Sequence, residues 1–256
     1  MSEFRNLLSA VGRWFLFTRK NGIVLFREGV SRKQLIDQMY LVGVRSIPMT
    51  CLAGLFVGAI LAIQINLQLK DFGAQGFLGG LSTSTTIRNL GPVLIAFLLA
   101  GRVGAFSSAE LGTMAISDQI SAIRCLGLNP LSIIVVPRLL ALTLSSFLLL
   151  VLGLGLTVVG GIAISSVVLK VNPLQFMSHI PQFVSFSSIL IGIVKSFLFG
   201  LMIGSISCFV GYHTTGGSEE VGQSVRRTAV VTLVTIIVTD FSVSVLVESL
   251  SKLFSS

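Results

Sequence analysis

Two carboxylates, Asp240 and Glu248, stand inside an otherwise apolar run from Thr228 to Leu250. A carboxylate in such surroundings is paired with a cation, relays protons or lines a polar passage. Arg226 and Arg227 precede Asp240 by too many turns to reach it on one helix, which advances 1.5 Å per residue. Arg102 and Arg138, from other segments, are the partners weighed. The expectation for Asp240 is a structural intramembrane charge rather than a proton relay. A second segment, Ser107 to Pro130, sets Glu110, Asp118, Gln119 and Arg124 among Leu111, Met114, Ile116, Ile120 and Ile123. That spacing predicts a helix whose face is too apolar for free solvent, and such a face fits a groove on a partner. Ser117 can cap a second helical stretch within it, and Gly127-Leu-Asn-Pro130 ends it, since the residue before proline avoids helix.

Other chemistry is missing. No GxxxxGK[ST] leads any of Lys20, Lys33, Lys70, Lys170, Lys195 or Lys252, so the chain carries no phosphate loop. HExxH, GxSxG and clustered Cys/His are absent, and His179 and His213 stand apart. No metal site and no cofactor are expected, and an enzyme is not. Cys51, Cys125 and Cys208 have no redox or metal spacing and read as packing thiols.

The elements that must hold these residues follow from composition. The 256 residues are 53% hydrophobic and only 11% charged, against roughly 25% charged in a soluble domain, and mean hydropathy is +0.93. A water-soluble fold cannot cover its surface so. An all-α polytopic membrane protein is expected, with an N-terminal interfacial amphipathic helix, five transmembrane helices and a cytoplasmic helix between two of them. A span takes about 20 mostly apolar residues, and charge-poor runs place the five at about 46–69, 87–107, 134–167, 187–212 and 228–250. With the N-terminus inside, thirteen of the 18 Lys and Arg fall on the cytoplasmic side; Lys70, Arg88, Lys170, Lys195 and Lys252 fall outside. Basic residues favour the cytoplasmic side, so the N-terminus is expected inside and the C-terminus outside. The net charge of +8 is read in the same way, and no nucleic-acid partner is expected. Residues 1–44 form the interfacial region: Phe4, Leu7, Leu8, Val11, Trp14 and Phe15 recur at helical spacing between Arg5, Ser9 and Arg13. Ser31 to Gln34 resembles a capping box opening a second amphipathic stretch. Residues 45–252 form the membrane domain. Gly54/Gly58, Ala100/Gly104 and Gly200/Gly204 are small pairs that let helices approach closely in lipid.

Several motifs are shared with a known family. Leu90-Gly-Pro92, Ala100-Gly-Arg-Val-Gly104, Ala109-Glu-Leu-Gly-Thr-Met114, Gln119-Ile-Ser-Ala-Ile123 and Leu126-Gly-Leu-Asn-Pro130 resemble the MlaE/YrbE permeases, the membrane subunits of MCE-associated ABC lipid transporters. Gln38-Met-Tyr40, Val136-Pro-Arg138, Gly211-Tyr212 and Asp240-Phe241 extend the resemblance from about Gln38 to Leu250. It implies a multi-pass permease of the inner membrane that works as two copies, with a separate cytoplasmic ABC ATPase subunit and an MCE-domain protein on the periplasmic side, and that moves phospholipid or a related lipid. Residues 107–130 would be the coupling helix seated in the ATPase through Glu110, Leu111, Met114, Asp118, Ile120 and Arg124.

A lipid path needs apolar walls with polar groups at head-group depth. The outer half of the first span offers Leu61, Gln64, Ile65, Gln68 and Phe72 at three- and four-residue steps; position in the resemblance adds Asn89 and Leu90. The family commonly reads Arg-Glu-Leu-Gly-Pro where this chain has Arg88-Asn-Leu-Gly-Pro92, so the acidic group is replaced by an amide that bonds without charge. A proton-coupled secondary transporter using Asp240 and Glu248, and a non-transporting membrane scaffold for an ATPase, are the alternatives.

Overall fold

A computed structural model describes the backbone of residues 2–254 and the side chains of residues 9–249. Every regular element among the described residues is helical. Five helices are long and apolar enough to cross a membrane: Arg32–Asp71, Gln75–Ile116, Leu131–Val167, Phe186–Tyr212 and Ser218–Ser249. The chain is an all-α polytopic membrane protein.

In order, α1 (Ser2–Glu28) and α2 (Arg32–Val42) precede the first span, α3 (Ile47–Asp71), which opens with Pro48 in its first turn, where a missing N–H leaves no bond unmade. The second span is built of α4 (Leu78–Thr85), α5 (Gly91–Leu99) and α6 (Ala105–Ile116), joined by wide π-turns over Thr86–Leu90 and Ala100–Gly104. It is far longer than the expected 87–107. A short α7 (Gln119–Cys125) leads to a third π-turn, Leu131–Val135, and the third span, α8 (Val136–Val167). Then come α9 (Pro173–Ser178), α10 (Ile180–Phe183), the fourth span α11 (Phe186–Tyr212) and the fifth, α12 (Ser218–Phe254). Two of the π-turns have a visible cause. Proline cannot donate to the carbonyl four residues before it, and Pro92 and Pro137 each stand just past such a turn.

The chain divides into two compact units. The first holds residues 1–45, 100–146 and 200–235; the second holds 46–99, 147–199 and 236–256. In the first unit, Phe17 of α1 is buried against the ring of Phe209, 5.6 Å away, and of His213, 5.4 Å away. Phe26, Phe15 and Leu16 of α1 stay exposed, so the helix carries one packed stripe and one uncovered apolar stripe. Phe4, Leu7 and Leu8, expected on the apolar side, lie outside the described side chains. Ser31 precedes α2 but makes no side-chain capping bond, so the expected capping box does not close.

In the second unit α3 and α8 run in the same direction in backbone contact. A Cβ at Gly54 would lie 2.7 Å from the Gly153 carbonyl oxygen, one at Gly58 would run into the Thr157 backbone, and one at Gly161 would meet Ala62 at 3.9 Å. Each step is one helical turn further along both helices. Gly79 and Gly80 of α4 give the same close approach to Phe176 and to the His179 backbone, which places the fully buried Phe176 ring under the α9–α10 cap.

Candidate functional site

The second unit holds a polar cavity of about 410 Å³, lined among others by Thr85, Arg88, Asn89, Lys195, Ser244 and Glu248, within the size range of ligand pockets. Its floor follows from the sequence Arg88-Asn-Leu-Gly-Pro92. Pro92 withdraws the N–H that an α-helix would offer to the Arg88 carbonyl, and Lys195 Nζ from α11 donates to that oxygen instead, at 3.0 Å. The same ammonium donates to Ser244 Oγ at 3.0 Å and pairs with Asp240 Oδ1 at 2.7 Å, both on α12. An ammonium has three donors; two go to the Arg88 carbonyl and the Ser244 hydroxyl, and the charge is paired with Asp240. Lys195 is 1% exposed; it ties the π-turn, α11 and α12 together.

Asp240 therefore has a partner, and it is neither Arg102 nor Arg138. The sequence reading placed Lys195 among the outer-side charges; it lies in the body of a span. The guanidinium of Arg88 makes no hydrogen bond or ion pair with any described residue, so it is the cation the cavity leaves available. Asn89 is exposed beside it, and so is Leu90.

The expected lipid-facing stripe of α3 divides. Leu61 is 4% exposed and belongs to the buried face with Ala62 and Asn66, and Ile65 is half-buried. Gln64 and Gln68 face away from the chain, as does Leu67. Phe72 lies just past the helix end and is 85% exposed. The exposed stripe of α3 runs instead through Leu52, Phe56, Ile60, Gln64 and Leu67. Three- and four-residue steps admit two stripes, and the glycine-lined face fixes which one is buried.

The segment 107–130 in the first unit is not one helix. α6 ends at Ile116, Asp118 takes a left-handed conformation (φ 57°), and α7 starts afresh, with Asp118 rather than Ser117 in the capping position. Leu111 is fully buried and Ile120 is 6% exposed, so neither forms an outward face; Met114 is half-buried. Leu111 sits under Gly211, where a Cβ would come within 2.8 Å of it. Glu110 is engaged inside the unit, pairing with Arg138 Nη2 at 2.6 Å. Arg124 donates to the Tyr212 hydroxyl at 2.7 Å. Asp118 is exposed. The outward apolar groups are Leu126 and Leu128, at the turn made by Gly127 with φ 75°. That turn is held by Asn129, which accepts from the Leu131 N–H at 3.1 Å and donates to Glu28 Oε1 at 3.2 Å. Hydrogen bonds from Ser132 and then Asn129 hold the Glu28 carboxyl below its ordinary range.

Lys195, Ser244 and Arg138 were missed as site residues. The signal for Lys195 was present: one lysine and one aspartate isolated in separate apolar runs are each costly alone and are expected to meet.

Five apolar helices, with a polar pocket lined by the second, fourth and fifth of them, are the outline of a membrane permease. Residues 35–246 match the family model "Permease MlaE", and the chain belongs to that family. A probable ABC transporter permease protein of Synechocystis is 32% identical over 94% of this chain and 90% of its own length. The intermembrane phospholipid transport system permease protein MlaE of Haemophilus influenzae is 32% identical over 92% of this chain and 95% of its own. A probable ABC transporter permease protein of Rickettsia conorii is 28% identical over 92% and 91%.

Proposed function

We propose that this chain is the permease subunit of an ABC transporter that moves phospholipid between the inner membrane and the periplasmic side. A separate cytoplasmic ATPase drives it, a second copy of the chain completes it, and an MCE-domain protein takes over on the far side. The observation that carries the proposal is the Arg88–Asn89 cavity: besides the Glu248 carboxylate, its lining offers one available guanidinium, one amide and hydroxyls from Thr85 and Ser244, which suit a phosphate-bearing head group. The exposed stripe of α3 through Phe56, Ile60, Gln64 and Gln68 supplies a surface for acyl chains. The turn at Leu126 and Leu128 is the seat for the ATPase, in place of Glu110, Leu111 and Ile120.

The N-terminal region 1–44, the membrane domain 45–252 and the cytoplasmic segment 107–130 keep their assigned roles in this reading. The excess of Lys and Arg in residues 1–45, 102–138 and 213–227 supports a cytoplasmic N-terminus in this reading. A proton-coupled mechanism through Asp240 is disfavoured by its tie to Lys195. A scaffold without transport is separated from a permease by experiment. The chain is reconstituted with its ATPase, and photo-crosslinkers are placed at Asn89, Gln64 and Leu61. Capture of phospholipid at Asn89 and Gln64 and not at Leu61, lowered by ATP, is the expected result. Capture at no position, or capture indifferent to nucleotide, would sink the transport reading.

A further inference from the structure

The ion pair between Glu110 and Arg138 lies at the base of the hairpin whose tip is α7 and the Leu126–Leu128 turn. Glu110 belongs to α6, which continues the second span; Arg138 belongs to the first turn of α8, which begins the third. Their side chains meet at 2.6 Å, and Arg138 is 3% exposed. Arg138 Nε also donates toward Gln38 Oε1 of α2, at 3.4 Å. One buried guanidinium thus joins both arms of the hairpin to the helix that precedes the first span. All three residues lie within one compact unit.

A buried arginine that loses its carboxylate is left with an uncompensated charge, so the carboxylate is held firmly in place. Beside this contact the two spans also leave regular α-helical register. The π-turn Ala100–Gly104 precedes α6, and the π-turn Leu131–Val135 immediately precedes α8; such turns mark sites where a helix departs from regular register. Without a tie at its base, a push on the tip would be absorbed there by two wide turns.

We infer that Glu110, Arg138 and Gln38 form a strut that makes the hairpin move as one body with α6, α8 and α2, so that displacement of the tip reaches the spans. These are positioning residues, not contacts for a partner. The inference rests on the proposed seating of an ATPase at the tip.

Cys125 is exposed at the end of α7, Cys208 is buried and Cys51 is half-buried. A nitroxide on Cys125 in a Cys51→Ala background therefore reports tip mobility in the full chain, embedded in vesicles of phosphatidylethanolamine and phosphatidylglycerol, before any partner is added. Glu110→Gln is expected to raise that mobility. With the ATPase bound, basal ATP hydrolysis is expected to persist while lipid moved per ATP falls about tenfold, within the usual range of a lost coupling between two sites. The exchange Glu110→Arg with Arg138→Glu is expected to restore both readouts, which a general loss of stability would not allow. Unchanged mobility in Glu110→Gln overturns the strut. Raised mobility with an unchanged lipid-to-ATP ratio overturns its role in transmission, as does failure of the exchanged pair to rescue. Absence of ATPase binding by the unaltered chain is seen before any variant is compared, and it sinks the permease reading and the transmission role with it.

Discussion

The ammonium of Lys195 on α11 lies 2.7 Å from the carboxylate of Asp240 on α12, and it donates hydrogen bonds to the Arg88 carbonyl and the Ser244 hydroxyl. The lysine is satisfied only as a set. Asp240→Asn leaves a buried cation without its counter-charge and is expected to destabilise the chain by about 3–5 kcal/mol. Replacing both partners, Lys195→Met with Asp240→Leu, is expected to cost far less, because no charge is then stranded. Thermal unfolding in detergent of the single and double variants checks this; a double variant as unstable as Asp240→Asn would contradict it.

Arg88 is the cation of the cavity that the described residues leave unengaged. Arg88→Gln keeps a hydrogen-bond donor and removes the charge. Charge-assisted hydrogen bonds contribute about 1.5–3 kcal/mol, so phospholipid capture by a crosslinker at Thr85 is expected to fall tenfold or more, with insertion unchanged. Undiminished capture would place the head group elsewhere.

Leu126 and Leu128 are the outward apolar groups of the hairpin tip. Leu126→Glu with Leu128→Glu is expected to abolish co-purification of the ATPase, since a buried anchor at an interface is worth about 2 kcal/mol or more. Glu110→Lys, by contrast, is expected to disturb folding near Arg138 before it disturbs docking. Normal ATPase binding by the double glutamate variant would remove the tip from the interface.

Native Cys125 gives a test of orientation that needs no engineered terminus. A membrane-impermeant thiol reagent is expected to label it in inverted vesicles and not in intact cells. Labelling from the outside would reverse the topology and remove the tip from reach of any cytoplasmic partner.

Gly58 has no room for a side chain against the Thr157 backbone. Gly58→Val must push α3 away from α8 and is expected to cost at least about 1–3 kcal/mol, the range for overpacking, whereas Gly155→Ala meets open space and is expected to be tolerated. Relative yields and melting temperatures of the two variants give the comparison.

The number of spans was legible because charge-poor runs of sufficient length have few other uses. The family was legible from the Leu90–Pro130 motifs. Side-chain assignments fared worse, for definite reasons. A π-turn adds a residue to one turn, so residues before and after Thr86–Leu90 or Ala100–Gly104 no longer fall on a single helical wheel. In α3 the buried face is marked by Gly54 and Gly58 rather than by bulky residues, which turned Leu61 inward against expectation. In 107–130 the apolar residues were read as an outward face, yet Leu111 and Ile120 are used to pack the hairpin onto its own unit. Glu110 looked available because Arg138, its partner, lies beyond the hairpin turn in sequence.

The same-direction contact between α3 and α8 also has an electrostatic side. Two helices laid side by side in one sense align their dipoles, so both concentrate partial negative charge at the same end. Apolar surroundings screen this poorly. Each of the two carries a lysine at that end: Lys70 in the last turn of α3, and Lys170 just beyond the end of α8, in a left-handed conformation with φ 54°. In α3 the last residue, Asp71, offsets Lys70, so Lys170 is the cation that adds net positive charge beside the doubled negative pole.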